Sequence, residues 1–148
     1  MSELTDRGNL LFSQHRFELA ADVFRRALQE APNDAYAHAR LALCFAALEK
    51  TKEAYTEAHS AIAASPNYAY AHYALALVYD SDGRRAESEN AVLVAIHHDP
   101  WKSYYFALLA RARLLQNKAG LRNRKESDFI QAVRISEGKE NHLRFAES

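Results

Sequence analysis

Residues 35–66, AYAHARLALCFAALEKTKEAYTEAHSAIAASP, and residues 69–100, AYAHYALALVYDSDGRRAESENAVLVAIHHDP, each close on a proline. Pro32, Pro66 and Pro100 are the only prolines in the chain, and both gaps between them are 34 residues. Proline lacks a backbone N–H and holds φ near −65°, so it marks where a helix has stopped. Three stops at one period predict one structural unit used repeatedly. A period of this length fits two amphipathic helices per unit.

Other residue types recur in phase with the prolines. Steps of 34 align Gly8, Ala42, Ala76 and Ala110 in the middle of the first helix of each unit. Glycine inside a helix costs about 1 kcal/mol relative to alanine. Gly8 therefore predicts a place where another backbone comes too close for a larger side chain. Leu41, Leu75 and Leu109 precede these small residues, and Leu11, Phe45 and Tyr79 follow them. In the second helices Ala27, Ala61 and Ala95 align, as do Ala20, Ala54 and Ser88, with Phe24, Ala58 and Val92 between. Three- and four-residue spacing gives each helix one apolar stripe. The pattern predicts helices near 3–14, 17–31, 35–48, 51–64, 69–82, 85–98, 101–117 and 124–136. Gly83 and Gly120 suit left-handed turns between paired helices, and Asn123 with Glu126 reads as a capping box that starts the last one.

This set resembles the tetratricopeptide repeat family, whose motif is matched by Leu4, Gly8, Leu11, Ala20, Phe24, Ala27 and Pro32 in the first unit. His38 and His72 replace the usual large opening residue and are expected to stack between units; Arg7 replaces the first leucine. In the fourth unit Phe106, Leu109 and Ala110 fit, Arg113 does not, and about three extra residues around 117–123 bring Phe129 and Ala132 into phase. The resemblance covers residues 2 to 136. It implies an all-α, right-handed superhelical solenoid of about four helix-turn-helix repeats, with units near 1–34, 35–68, 69–102 and 103–136. Residues 137–148, carrying Leu143 and Phe145, form either a short capping helix or a disordered tail.

Composition agrees with one such domain. Of 148 residues 49% are hydrophobic, enough for a shared core. Nineteen basic and nineteen acidic side chains cancel, which removes any global attraction to nucleic acid or an anionic membrane. A lone Cys44 excludes an internal disulfide framework. With no apolar run of spanning length and a polar N-terminus, a cytoplasmic protein without a membrane segment is expected.

The chemistry of catalysis is absent from the pattern. There is no glycine-rich phosphate loop, no His-Glu-x-x-His, no cysteine pair and no Gly-x-Ser-x-Gly. His97, His98 and Asp99 are the most ligand-like cluster. Neighbouring residues on a helix point about 100° apart, so these histidines are better read as favouring the helix C-terminus. Cys44, between Leu43 and Phe45, reads as a small buried hydrophobe. The expectation is no enzyme, no cofactor and no metal.

What remains is a surface. The resemblance implies that the first helices line a concave groove that binds a partner peptide or helix. The expected groove residues are Asn9, Tyr36, Arg40, Leu43, Tyr70, Tyr73, Leu77, Tyr104 and Arg111, with Tyr36, Tyr70 and Tyr104 forming a ladder at 34-residue steps. Tyrosine joins a large apolar face to a hydroxyl with few rotors to freeze. In co-chaperones of the family a lysine and asparagine clamp holds a C-terminal carboxylate. The corresponding places here are Thr5, Asn9, Arg40, Tyr70 and Ala74, so that ligand is disfavoured. The partner is expected to be another protein. The alternative is self-assembly into a dimer or filament through the terminal repeats and the tail. A run of cations, Arg111, Arg113, Lys118, Arg122, Arg124 and Lys125, reads as a solvated edge; without interleaved aromatics it does not favour nucleic acid.

Overall fold

The computed structural model describes the backbone of residues 2–146 and the side chains of residues 2–135. Among the described residues it is all helical: α1 (Glu3–Ser13), α2 (Phe17–Glu30), α3 (Ala35–Ala47), α4 (Thr51–Ala64), α5 (Ala69–Ser81), α6 (Arg85–His98) and α7 (Ser103–Ala146). Two compact units divide at residue 113, Met1–Arg113 and Leu114–Ser148.

In the first unit α1 packs on α2, α3 on α4 and α5 on α6, and each pair packs on the next. The core holds the in-phase residues: Phe24, Leu41, Ala42, Phe45, Ala58, Leu75, Ala76, Val92 and Ala95 are all buried. Gly8 is buried too, but its close neighbour is a ring and not a backbone. A Cβ there would lie 2.7 Å from Phe24 Cζ and 2.8 Å from Cε1. The residues 34 and 68 places after Phe24 are the smaller Ala58 and Val92, both buried.

Each helix pair turns by the same device. His15, Glu49 and Gly83 adopt left-handed φ values of 59°, 59° and 76°, again 34 residues apart. The following amides, of Arg16, Lys50 and Arg84, each donate at 2.9 Å to the carbonyls of Leu11, Phe45 and Tyr79. Those bonds cap carbonyls that the helix end leaves unpaired. At the next joint Asp34 accepts from the amides of Tyr36 and Ala37 (3.1 and 3.2 Å), starting α3. His38 and His72 act on the proline turns. Their Nε2 atoms donate to the carbonyls of Pro32 (2.8 Å) and Pro66 (2.7 Å), six residues back. His38 Nδ1 also lies 2.7 Å from Glu57 Oε2, and the His72 ring stacks on His98 at 5.6 Å.

The expected fourth pair is not formed. Where a break near 118–123 was expected, α7 runs unbroken from Ser103, Gly120 is not left-handed, and Asn123 and Glu126 are interior helix positions instead of a capping box. The segment is rich in Leu, Arg and Lys, good helix formers, and one interior glycine costs about 1 kcal/mol, too little to end a helix of this length. The first turns of α7 belong to the first unit, where Tyr105, Leu108, Leu109 and Ala112 are buried. Ala110, unlike Gly8, Ala42 and Ala76, is exposed. In the second unit, described by itself, Leu121, Phe129, Ile130, Val133 and Ile135 are all exposed. The Leu143 and Phe145 side chains lie outside the described residues.

Candidate functional site

Helices α3, α5 and α7 each set a tyrosine at their second position: Tyr36, Tyr70 and Tyr104. The period that repeats the helices therefore repeats the ring. Tyr36 and Tyr70 stack with centroids 5.5 Å apart and planes 26° from parallel. Tyr104 does not meet Tyr70 in the same way. Tyr73 stands between them, 5.9 Å from Tyr70 and 5.0 Å edge-on to Tyr104. Beside these lie Tyr68, 6.1 Å from Tyr70, and the buried Tyr105, 5.0 Å from Tyr73. Tyr36, Tyr68, Tyr70, Tyr104 and Tyr105 line a cleft of about 560 Å³, with His98, Asp99 and Lys102 supplying polar edges; Tyr73 touches three of these rings without lining it.

Polar groups hold the rings in place. Asn9 Nδ2 donates to the Tyr36 hydroxyl at 2.9 Å, and Arg40 Nη1 donates to the Tyr70 hydroxyl at 3.2 Å. The Arg40 guanidinium lies 4.1 Å over the Phe12 ring, a cation–π arrangement that fixes its plane. No carboxylate pairs with Arg40 among the described residues, and its Nε and the Asn9 Oδ1 are buried without a partner. Burial pushes the Tyr70 phenol up, with nearby Arg40 opposing it in part. Tyr68 and Tyr73 are pushed up to about 12, by burial first and then by neighbouring tyrosines. Tyr105 moves the same way, also through burial. All four keep their hydroxyl proton at neutral pH. The cleft thus offers flat apolar faces, neutral hydroxyls and the Lys102 ammonium, with Arg40, held on the Tyr70 hydroxyl, beside its lining.

Of the nine residues expected in the groove, Asn9, Tyr36, Arg40, Tyr70, Tyr73 and Tyr104 form this linked set. Leu43 is buried and Leu77 half-buried, packed with Ala39, Ala71 and Ala74 in a second apolar cluster. Arg111 is spent elsewhere: its Nε donates to both Asp80 carboxylate oxygens at 3.2 and 3.1 Å. Tyr68, Lys102 and Tyr105 are cleft residues that the sequence reading passed over. Tyr68 and Lys102 occupy the period-34 equivalents of the capping Asp34, and that phase was the signal available.

Among the remaining chemical candidates His98 and Asp99 edge the cleft, and the others do not line it. Thr5 is buried, its hydroxyl 2.8 Å from that of Ser2, and Ala74 is buried, so neither clamp position presents a cation. No group of three metal-ligating side chains converges among the described residues. Burial pushes the Cys44 thiol up to about 12, the opposite of what a nucleophile needs. In the basic run Arg113 is held by Glu89 at 2.9 Å, as Arg111 is by Asp80.

Solved structures with the same fold are tetratricopeptide domains. The domain of Sgt2 from Aspergillus fumigatus superposes with a TM-score of 0.73 at 19% identity, covering 80% of each chain. The first such domain of Spaghetti (RPAP3), bound to the HSP90 peptide SRMEEVD, gives 0.67 at 17% identity over 77% of this chain and 90% of that one. The TPR2B domain of yeast Sti1 in its pHsp70 complex gives 0.65 at 20% identity, covering 76% and 98%. The sequence matches no protein-family model and no curated protein. The chain has the tetratricopeptide fold.

Proposed function

We propose that this protein is a non-enzymatic interaction module that holds an extended peptide or a helix of a partner protein along its first helices. The observation that carries this reading is the cleft lined by Tyr36, Tyr70 and Tyr104, whose rings Tyr73 links, beside an Arg40 that no carboxylate pairs among the described residues. Rings with few rotors lose little entropy on binding and give broad apolar contact. Arg40 then favours a segment with an acidic or C-terminal carboxylate at that point, since a charge-assisted bond is about twice as strong as a neutral one. The peptide-bound relatives support a ligand of this class. They favour groove binding over self-assembly as the main task. Thr5, Tyr70 and Ala74 do not reproduce a two-carboxylate clamp, so recognition rests more on aromatic contact than on charge. No helix among the described residues is long and apolar enough to cross a membrane. A cytoplasmic site is part of the proposal, supported by the free Cys44.

The test is capture from native lysate by immobilised wild type and by a Tyr70→Ala/Arg40→Glu variant whose circular dichroism matches wild type. Loss of two central contacts predicts roughly 100-fold weaker binding. Equal capture of the same proteins by a folded variant would sink the assignment of the site.

A further inference from the structure

The three closed repeats show what α7 leaves open. Gly8 of the first helix lies against Phe24 of the second, and the residues at the equivalent places, Ala42 and Ala58, Ala76 and Val92, are all buried in the shared core. In α7 the first-helix residues Phe106 and Ala110 are exposed. The second-helix signature, Phe129 and Ala132, is carried by the same unbroken helix, and Phe129 is 70% exposed. An unbroken helix does not fold back on itself. The chain therefore displays both halves of a pairing that it makes three times elsewhere, and a second copy can supply each half to the other.

We propose that two copies pair antiparallel through α7, each giving the other the second helix of its fourth repeat. Such an exchange of identical elements is a two-fold, self-complementary interface. The register argues for a second copy over an unrelated helix. Setting Ala110 opposite Phe129 of the second copy sets Phe106 opposite Val133, and the small pair Ala119 and Gly120 at the two-fold crossing. The same register sets Arg111 opposite Asp128 and Arg113 opposite Glu126. Those acids are exposed, and no ion pair engages them among the described residues. Arg111 and Arg113 each use only one guanidinium nitrogen on α5 and α6 acids, so donors remain for a second carboxylate. Ala110 carries a methyl that Gly8 lacks; helices of separate chains, with no turn fixing their spacing, can widen to accept it. Of the residues expected in the groove only Arg111 enters this interface, and it stands outside the linked tyrosine set, so the pairing stands or falls independently of partner binding.

The experiment uses the full chain with Cys44→Ala as background. In the Ala110→Cys/Phe129→Cys variant the two cysteines of one helix are far beyond the Cα separation of about 7 Å that a disulfide allows. Mild oxidation is expected to give a covalent dimer, with each single variant remaining uncrosslinked. In sedimentation equilibrium the wild type is expected to reach twice the chain mass as concentration rises. Phe129→Glu should weaken that dimer roughly tenfold or more. An intramolecular disulfide in a monomer would show that the helix breaks and folds back, and would overturn the proposal. So would a wild type that stays monomeric at every concentration, or a dimer indifferent to Phe129→Glu.

Discussion

Replacing Gly8 by alanine sets two known effects against each other. Alanine is the better helix former by about 1 kcal/mol, and by propensity alone Gly8→Ala should stabilise α1. The added methyl, however, would sit 2.7, 2.8 and 3.0 Å from three ring carbons of Phe24. Carbon atoms in comfortable contact stand about 3.5–4.0 Å apart. The ring is completely buried and has no flexible tip to swing aside, so α1 and α2 must move apart. Overpacking of this kind costs roughly 1–3 kcal/mol. The net expectation is a loss of about 1 kcal/mol, or roughly 3–4 °C in the unfolding midpoint for a domain of this size. Thermal and urea unfolding followed by circular dichroism measure it, with an unchanged urea slope as the check that only stability moved. The sharper test repeats the substitution in a Phe24→Ala background, which imitates the Ala42 and Ala58 pair of the second repeat. There the methyl meets no ring, and Gly8→Ala should stabilise by the propensity term. If alanine raised the midpoint in the wild type, or lowered it equally in both backgrounds, the steric account of Gly8 would be refuted.

Two further stability predictions follow from the turns and the tyrosines. Glu49 is left-handed at φ 59°, a conformation that costs a non-glycine residue about 1–2 kcal/mol. Glu49→Gly should therefore stabilise by about 0.5–1 kcal/mol after the extra freedom glycine gives the unfolded chain. Gly83→Ala should destabilise by about 1 kcal/mol through backbone strain alone, since an added Cβ there meets nothing within 4 Å. Urea titration reads both, and a destabilised Glu49→Gly would contradict the argument. Alkali supplies the second prediction. Burial raises Tyr68 and Tyr73 from 10.0 to about 12, and Tyr70 and Tyr105 also upward, while Cys44 rises from 9.0 to about 12. An acid with a higher pKa in the folded state stabilises fully below its unfolded value and loses that contribution as pH climbs toward the folded one. The urea midpoint should be insensitive to these groups up to about pH 9 and fall steeply between about 10 and 12. Near-ultraviolet phenolate absorbance should rise together with unfolding. Full tyrosine ionisation near pH 10 with no loss of structure would rule it out.

The helix pairs were legible in the sequence because their determinants repeat: proline stops, small residues and apolar stripes share one phase, and six helices begin or end within a few residues of where that phase sets them. The turns were legible only at Gly83. His15 and Glu49 do the same work, but nothing in a histidine or a glutamate announces a left-handed backbone, and only the surrounding repeat enforces it. The binding surface was legible as residue types on a helix face and not as contacts. Leu43 and Leu77 share the phase of groove residues yet face the neighbouring repeat, and the acid that occupies Arg111 lies 31 residues earlier on α5. Gly120, Asn123 and Glu126 satisfy the rules for a turn and cap, but the flanking residues satisfy those for a helix equally well. Local chemistry there admits both outcomes.

That ambiguity follows from what the fourth unit lacks. In the first two joints a histidine ties back to the proline carbonyl six residues before it; after Pro100 the equivalent residue is Phe106, which has no N–H to give. In the first three units a left-handed residue reverses the chain at 15, 49 and 83; the equivalent Asn117 lies inside α7. No proline closes the unit near 134. Each device that turns the chain is missing, while the packing residues Phe106, Ala110, Phe129 and Ala132 are kept. A unit that had simply decayed would lose both together, since exposed aromatic side chains carry no benefit of their own on a solvated helix. Retention of the packing half without the turning half is what an exchanged repeat requires. A helix that must reach a second copy has to stay straight through Asn117–Asn123, and its apolar residues still need a partner surface. Inserting a turn there should therefore convert one state into the other. A variant with Asn117→Gly and Gly-Asn-Gly in place of Ala119–Leu121 is expected to fold back into a closed fourth repeat and sediment as a monomer. A dimer that survived this change would place the pairing surface somewhere other than α7.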